Sequence, residues 1–442
     1  MISMRRFFGN IVASLFLVAV AGCLRVHLPK AEIKSPGEKE VFSWGKAVEG
    51  SLRNHPDLLQ ARAQIESAAR DRDSAAGDYL PSVDGGMDRS RSRGTGTAAM
   101  KDSLSFDITA SQNLFDGLNT TGNFLAARKR LESSKLAYRD TSASVRLRLR
   151  TAFVQVLEYN KLLDVNRRIA SRRHDNAEMI RLRYEAGREN LGSALRAGAI
   201  ASQADFDVRQ TERQIDSKSI LLGREIGGDF YLPVQIEGDL ETLVLGLNGI
   251  KPDFVGLAEQ TPQVRKFIRI AEAFKAAVIS AQSGVWPKVD GAYNYGYTGA
   301  KESQLRDNML LGLTVTVPFF NGGKNIAAIR KARADYEAAL QAARSVRDAR
   351  VAELADGWAL FRDAAESVEV QREFLKANRE RADIVRAEYT SGLANFQDFD
   401  ISEQEITDTE KNFVRSMALA LIQKANWEYL KGETLEDAKD AN

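Results

Sequence analysis

Leu104-Ser105-Phe106-Asp107-Ile108-Thr109-Ala110-Ser111 alternates apolar and polar side chains with a period of two, and Leu114-Phe115-Asp116-Gly117 follows it. The pattern returns in the second half of the chain, where Met309, Leu311, Leu313 and Val315 form the apolar set and Phe319-Phe320-Asn321-Gly322 follows. Strand side chains point alternately to two faces, so each run describes a strand with one apolar face. A weaker alternation precedes each run: Val83, Gly85 and Met87 in the first half, and Val289, Gly291, Tyr293, Tyr295 and Tyr297 in the second. The polar stretches 89–101 and 298–306 then read as hairpin loops. Strands are expected at about 82–90, 103–115, 288–298 and 308–320.

The recurrence extends well beyond the strands. His55-Pro56 returns as Thr261-Pro262, Leu80-Pro81 as Trp286-Pro287, and Tyr184-Glu185-Ala186-Gly187 as Tyr389-Thr390-Ser391-Gly392. With a period of about 205 residues the chain is two tandem copies of one unit. Repeat 1 is expected over 42–224 and repeat 2 over 252–430, with an equatorial linker at 225–251 and a C-terminal tail at 431–442. None of the nine prolines lies between 82 and 232 or after 318, so a long helix is permitted in each copy. Val145, Leu149, Ala152, Val156, Tyr159 and Leu163 alternate spacings of four and three, which is a coiled-coil seam. Leu149, Phe153, Val156 and Leu163 recur as Leu354, Trp358, Phe361 and Val368. Helices over 119–187 and 323–392 would each be about 100 Å long. The return segments 190–224 and 252–286, about 50 Å each as helices, are expected to stack end to end. Segments 42–78 and 395–430 would form the equivalent pair.

Composition excludes several classes of function. The 442 residues are 44% hydrophobic and 28% charged with a formal charge of +2, so nucleic acid is not the expected partner. One Cys and three His cannot build a zinc cluster or a disulfide framework. No catalytic residue, metal ligand or cofactor site is expected, and the chain is not expected to be an enzyme. Arg5 and Arg6 precede an apolar stretch at 11–20 that is too short to span a bilayer, which marks residues 1–22 as an export signal. Val20-Ala21-Gly22-Cys23 resembles the bacterial lipobox, in which the Cys is acylated and becomes the mature N-terminus. Residues 23–41 are then a lipid-anchored extension, and Leu24 after the Cys points to the outer membrane. Ordinary cleavage after Ala21 is the alternative.

Strands of this length with an apolar outer and a polar inner face suit a membrane β-barrel. The lipid-facing set is expected to include Leu104, Phe106, Ile108, Met309, Leu311 and Leu313. Soluble hairpins packed on a core are the alternative, although the helices leave no layer for such a core. Four strands cannot close a barrel and open edges do not survive in lipid, so the chain must oligomerise. Two copies would suffice and three would give about twelve strands.

These features together resemble the TolC family of outer-membrane efflux and secretion proteins over essentially all of the mature chain. Its marks are the tandem repeat, Leu80-Pro81 and Trp286-Pro287, Phe115-Asp116-Gly117 and Phe320-Asn321-Gly322-Gly323, and the two Tyr-x-x-Gly helix ends. With Cys23 acylated, the chain is similar to the OprM/NodT-like subgroup. The resemblance implies a mainly α fold with membrane β: a homotrimer whose twelve-stranded barrel continues into a coiled-coil α-helical tunnel in the periplasm. It implies a passive channel of a tripartite efflux or type I secretion system. The expected partners are a periplasmic adaptor (membrane fusion) protein, an inner-membrane ABC or proton-driven transporter, and outer-membrane lipid. Tyr184, Gly187, Tyr389 and Gly392 would form the periplasmic tip that meets the adaptor. By its position, Asp398 resembles an acidic residue that lines the tip aperture in some members. Its copy-one counterpart is Ser193, and Ile401 occupies the family's second acidic position, so Asp400 is out of place.

Plainer readings stand beside these. Glycine just past a helix end is an ordinary C-cap, the tyrosines can be seam packing, and an exposed Asp needs no role. Arg146, Arg148 and Arg150, and Arg167, Arg168, Arg172 and Arg173, read as a solvated helix face with i,i+4 partners. An exported coiled-coil structural protein or an adaptor is the competing function.

Overall fold

The computed structural model describes residues 41–92, 100–228, 234–244, 251–301 and 304–439. The expected export signal, Cys23 and the extension up to residue 40 lie outside them. The described elements are β1 (Val41–Phe42), α1 (Trp44–Asn54), α2 (Pro56–Gly77), β2 (Ser82–Ser92), β3 (Lys101–Phe115), α3 (Asn119–Glu185) and α4 (Leu191–Ile226). They continue with β4 (Gln235–Ile236), α5 (Leu240–Val244), α6 (Phe254–Gln260), α7 (Pro262–Gln282), β5 (Lys288–Gly299) and β6 (Arg306–Thr316). The last are α8 (Lys324–Ser391), α9 (Phe396–Lys431) and α10 (Leu435–Lys439).

Each boundary has a local cause. Pro56 and Pro262 open α2 and α7 at the first helical position, where a missing N–H has no partner to lose. The Asp116 carboxylate accepts the Thr120 backbone N–H and hydroxyl, both at 2.7 Å, at the start of α3. Asn321 accepts the Asn325 N–H at 3.4 Å in the same role for α8. Between these caps and Gly187 and Gly392, α3 and α8 run 67 and 68 residues, about 100 Å each. Gly187 and Gly392 take φ of 68° and 85°. Arg188 N–H then closes on the Arg183 carbonyl and Leu393 N–H on the Glu388 carbonyl, both at 2.8 Å, the left-handed stop that glycine makes without strain.

Helix α3 has α2 and α4 along one side and α7 and α9 along the other, and α8 packs on the far side of α7 and α9. The stacking differs from expectation. A Cβ on Gly227, just past α4, would meet the His55 backbone nitrogen at 2.6 Å, and one on Gly432, past α9, would meet Pro262 at 2.4 Å. The end-to-end pairs are therefore α4 with α2 and α9 with α7, instead of 190–224 with 252–286 and 42–78 with 395–430. The segment between α4 and α7 carries the chain across α3 to its other side, and helix lengths alone do not reveal that crossing.

The main core lies at the middle of the long helices, where short elements add a second layer. Val145, Leu149, Phe153 and Val156 of α3 pack there with Leu354 and Phe361 of α8, Leu421 and Trp427 of α9, Leu222 of α4 and Val48 of α1. Trp44 meets Phe153 edge-on at 5.6 Å, and the Arg150 guanidinium lies 4.5 Å over the Trp44 ring. β1 pairs in parallel with β4 beside this core. Residues 431–442, read as a tail, instead carry α10, whose Leu435 is fully buried. Glu436 accepts hydrogen bonds from the hydroxyls of Tyr138 at 2.7 Å and Ser142 at 2.6 Å on α3.

The arginine clusters also need correction. Arg146 pairs with Glu428 at 2.8 Å and Glu433 at 3.1 Å, and Arg148 with Asp57 at 2.5 Å and Glu225 at 3.1 Å. Arg173 is buried and donates to the Glu403 carbonyl at 2.9 Å. Arg167 and Arg168 are exposed in the expected manner, although the partner of Arg167, Glu212, is on another helix, α4. Arg173 falls a whole number of heptads after Val145, so it lies on the seam and turns inward.

Candidate functional site

Among the described residues, the sheet and the helix ends farthest from it are left largely uncovered by the chain's own elements. The sheet is antiparallel with strand order β2-β3-β5-β6. Directly paired residues share a face, and the register sorts the side chains. Met87 lies opposite Phe106, Phe106 opposite Tyr297, Ile108 opposite Tyr295, Tyr295 opposite Met309, Tyr293 opposite Leu311 and Gly291 opposite Leu313. Leu104, Phe106, Ile108, Met309, Leu311 and Leu313 thus fall on one face. It is bare: Leu311 is 78% exposed.

The opposite face is polar. Thr109 lies opposite both Asp84 and Asn294 and accepts a hydrogen bond from the Asn294 amide at 2.7 Å. Ser82 and Ser111 bond at 2.7 Å, and Asn113 donates to Asp290 at 3.0 Å. Leu310, opposite Asn294, is the apolar exception on this side. Among the described residues, neither β2 nor β6 has a neighbour on its outer edge. No described helix is long and apolar enough to cross a membrane.

At the other end, the last turns of α3 and α8 are tied together. Arg183 donates to the Tyr389 carbonyl at 2.6 Å and the Thr390 carbonyl at 3.2 Å, with its guanidinium 4.5 Å over the Tyr389 ring. Tyr389 stacks on Phe399 at 4.7 Å, and its hydroxyl donates to Glu189 at 2.8 Å. Burial and that bond push the phenol up to about 12. Burial alone would raise the Glu189 carboxyl, but the Asn190 N–H and the Tyr389 hydroxyl hold it below its ordinary range. Tyr389 is 3% exposed whereas Tyr184, its repeat counterpart, is 40% exposed. The two tyrosines that the sequence treats alike therefore differ in kind.

Asp398 lies exposed in the first turn of α9, its N–H bound by the Asn395 side chain at 2.9 Å. Its carboxylate makes no ion pair among the described residues, and a helix N-terminus favours the charge. Asp400 is half-buried and holds Arg196 at 2.7 Å. A turn further from the tip, Glu403 is completely buried between Arg172, at 3.2 Å, and Arg386. Arg172 also pairs with Glu410 at 3.1 Å. Removing one partner of such a buried set costs about 3–5 kcal/mol, so these residues clamp α9 between α3 and α8. Arg183, Glu189, Phe399 and Glu403 were missed in the sequence. The heptad phase of Arg173 is the signal that could have drawn attention to the last of them.

Comparison with known proteins agrees with this arrangement. The family model of the outer membrane efflux protein matches residues 47–228 and 257–426. The outer membrane protein TolC of Vibrio cholerae is 26% identical over 303 residues, 65% of this chain and 67% of that protein. The probable efflux pump outer membrane protein TtgC of Pseudomonas putida is 20% identical over 246 residues, 53% of this chain and 48% of that protein, so the match spans about half of its length. Among solved structures, a crystal structure of CusC superposes with a TM-score of 0.80 at 15% identity, covering 91% of this chain and 96% of that one. That likeness establishes the fold.

Proposed function

Because this chain belongs to the outer membrane efflux protein family, we propose that it is the outer-membrane channel of a tripartite efflux or type I secretion system. It conducts substrate passively from an inner-membrane transporter across periplasm and outer membrane. The observation that carries this reading is the sheet: an uncovered apolar face, a polar opposite face, and two open edges in one chain. In lipid an open edge leaves backbone groups unpaired, at several kcal/mol each. Pairing the β6 edge of one copy with the β2 edge of the next repeats head to tail, and three copies close a ring of about twelve strands. The polar face then lines water, and the long helices continue the wall into the periplasm.

The tip is the end that meets the periplasmic adaptor, which couples the channel to an ABC or proton-driven transporter. Tyr184 and the Gly187 and Gly392 turns are the exposed contact elements. Tyr389 holds the tip together, and Asp398 faces the aperture. Cys23 carries the lipid anchor. A coiled-coil structural protein would have no use for a bare apolar sheet, and no chemistry is assigned to any residue.

The test is the native mass of the protein extracted from isolated outer membranes in mild detergent. Three copies in that fraction are expected, and a monomer in the soluble periplasm would overturn the reading. In a planar bilayer, Asp398→Ala is expected to raise the conductance of the closed channel, while unchanged conductance would remove Asp398 from the aperture.

A further inference from the structure

The apolar sheet face does not end in the same chemistry all round. Val83, Gly85, Met87, Arg89 and Arg91 alternate along β2, so the two arginines stand on the same face as Met87 and its partner Phe106. They lie at the end of that face nearest the β2–β3 hairpin loop. By the repeat, Leu80-Pro81 matches Trp286-Pro287, which puts Arg89 and Arg91 where the second copy has Tyr295 and Tyr297. Those tyrosines share the outward face of β5, and their hydroxyls bond at 3.1 Å. Tyrosines at the rim of a barrel sit at headgroup level, so the arginines occupy that level in the other half of each chain.

Their charges are only partly answered among the described residues. Arg91 is held by Asp102 through two bonds of 2.6 and 3.2 Å, which fixes the plane of its guanidinium. Arg89 and Lys301 both act electrostatically on Asp102 but make no ion pair among the described residues, and both are exposed. Asp307, opposite Tyr297, is the other acidic residue on this face. Among the described residues, Arg89, Arg91 and Lys301 against Asp102 and Asp307 leave this part of the rim net positive. Arginine forks match phosphate oxygens bidentately and remain charged at any working pH.

We infer that Arg89, Arg91 and Lys301 form a binding surface for the phosphate groups of anionic lipids in the outer leaflet. The occupant is a membrane lipid because the cluster tops an apolar band: acyl chains cover Met87, Phe106 and Ile108 while the headgroup phosphate meets Arg89 and Lys301. This rests on the channel reading above, since it needs the face to lie in a bilayer.

The test uses the detergent-extracted trimer with added bisphosphorylated lipid A, or with the same lipid stripped of its phosphates, and reads the temperature at which the trimer dissociates. The phosphorylated lipid is expected to raise that temperature and the stripped lipid to do so far less. Arg89→Ala with Lys301→Ala is expected to require about tenfold more phosphorylated lipid for the same shift. Arg89→Lys with Lys301 intact should keep most of the response, and serves if the double variant assembles poorly. An equal response to both lipids, or an unchanged response in the double variant, overturns the inference while leaving the trimeric channel standing. Failure to recover any wild-type trimer from outer membranes overturns the channel reading itself.

Discussion

At the end of β3, a Cβ on Gly117 would lie 2.6 Å from the Trp286 Cβ, whereas at the end of β6 Gly322 has nothing within 4 Å. The two glycines belong to the same motif and hold nearly the same φ, 68° and 69°. A turn later, a Cβ on Gly122 would strike the Ser280 backbone at 2.5 Å, while its counterpart Ala327 is exposed. Phe319 and Phe320 are 93% and 89% exposed, although they match Leu114 and Phe115. Copy one is covered by copy two at this junction, whereas among the described residues Phe319, Phe320 and Gly322 of copy two are left bare, and Asn325 just beyond them reaches the Gly284 carbonyl. The matching cover would be the end of α2 and Leu80-Pro81, the repeat counterparts of the end of α7 and Trp286-Pro287, from another copy of the chain.

That comparison is broken most directly at the phenylalanines. Burying each should contribute about 1.5–3 kcal/mol, repeated at every junction of the ring. Phe319→Ser with Phe320→Ser is therefore expected to remove most of the trimer from detergent extracts, read as native mass. Phe115→Ser should reduce it less, because part of that side chain packs within the chain. Equal losses from both would mean that the bare exit is not an assembly surface.

The tip offers a second contrast between the copies. Tyr389→Ala empties a stacked, hydrogen-bonded site and is expected to cost about 3 kcal/mol. Tyr184→Ala at the same repeat position should stay within about 0.5 kcal/mol. Thermal unfolding of the two variants measures both, and similar losses would show that the exposure difference carries no energy.

The smallest effect concerns the middle of the chain. Copy one joins α2 to α4 through the buried pair of His55 and Glu225 at 3.3 Å, with the half-exposed Arg148 at 3.1 Å from Glu225, where copy two has Thr261, Leu430 and Glu353. Burial would raise the Glu225 carboxyl, but the bonds from His55 and Arg148 outweigh it and hold it below its ordinary value. A lowered folded-state pKa stabilises above the unfolded value and is lost as pH falls through the folded one. Glu225→Gln is expected to cost about 1 kcal/mol at neutral pH, a gap that closes below about pH 4. Leu430→Ala should cost stability without that pH dependence. Denaturant midpoints across pH read both, and a gap that persists in acid would mean that the Glu225 charge does not matter.

Much of this molecule was legible before any coordinates. Leu104 to Ser111 announced its strand because period two is written in neighbouring residues, and Gly187 and Gly392 announced helix ends because a left-handed stop favours glycine over residues that carry a Cβ. The functional side was harder to read. Tyr184 and Tyr389 share one motif, yet one is a surface residue and the other a packing residue, because Phe399 and Glu189 approach only the second. The arginines of α3 read as a solvated face because a charged residue usually is one. Arg146, Arg148 and Arg173 turn inward because acidic partners and carbonyls arrive from α4, α9 and the chain's end.

Local pattern therefore determined the tandem repeat, the strands and their apolar side, the length of α3 and α8, and their terminating glycines. Each follows from the stereochemistry of a few consecutive residues. Tertiary structure alone decided that α4 stacks on α2 and α9 on α7, that α10 packs onto α3, which arginines are buried, and which exit motif is left bare. Those outcomes depend on which side of α3 the chain crosses, and on which of two like surfaces finds a partner within one chain. No periodicity along the sequence encodes either.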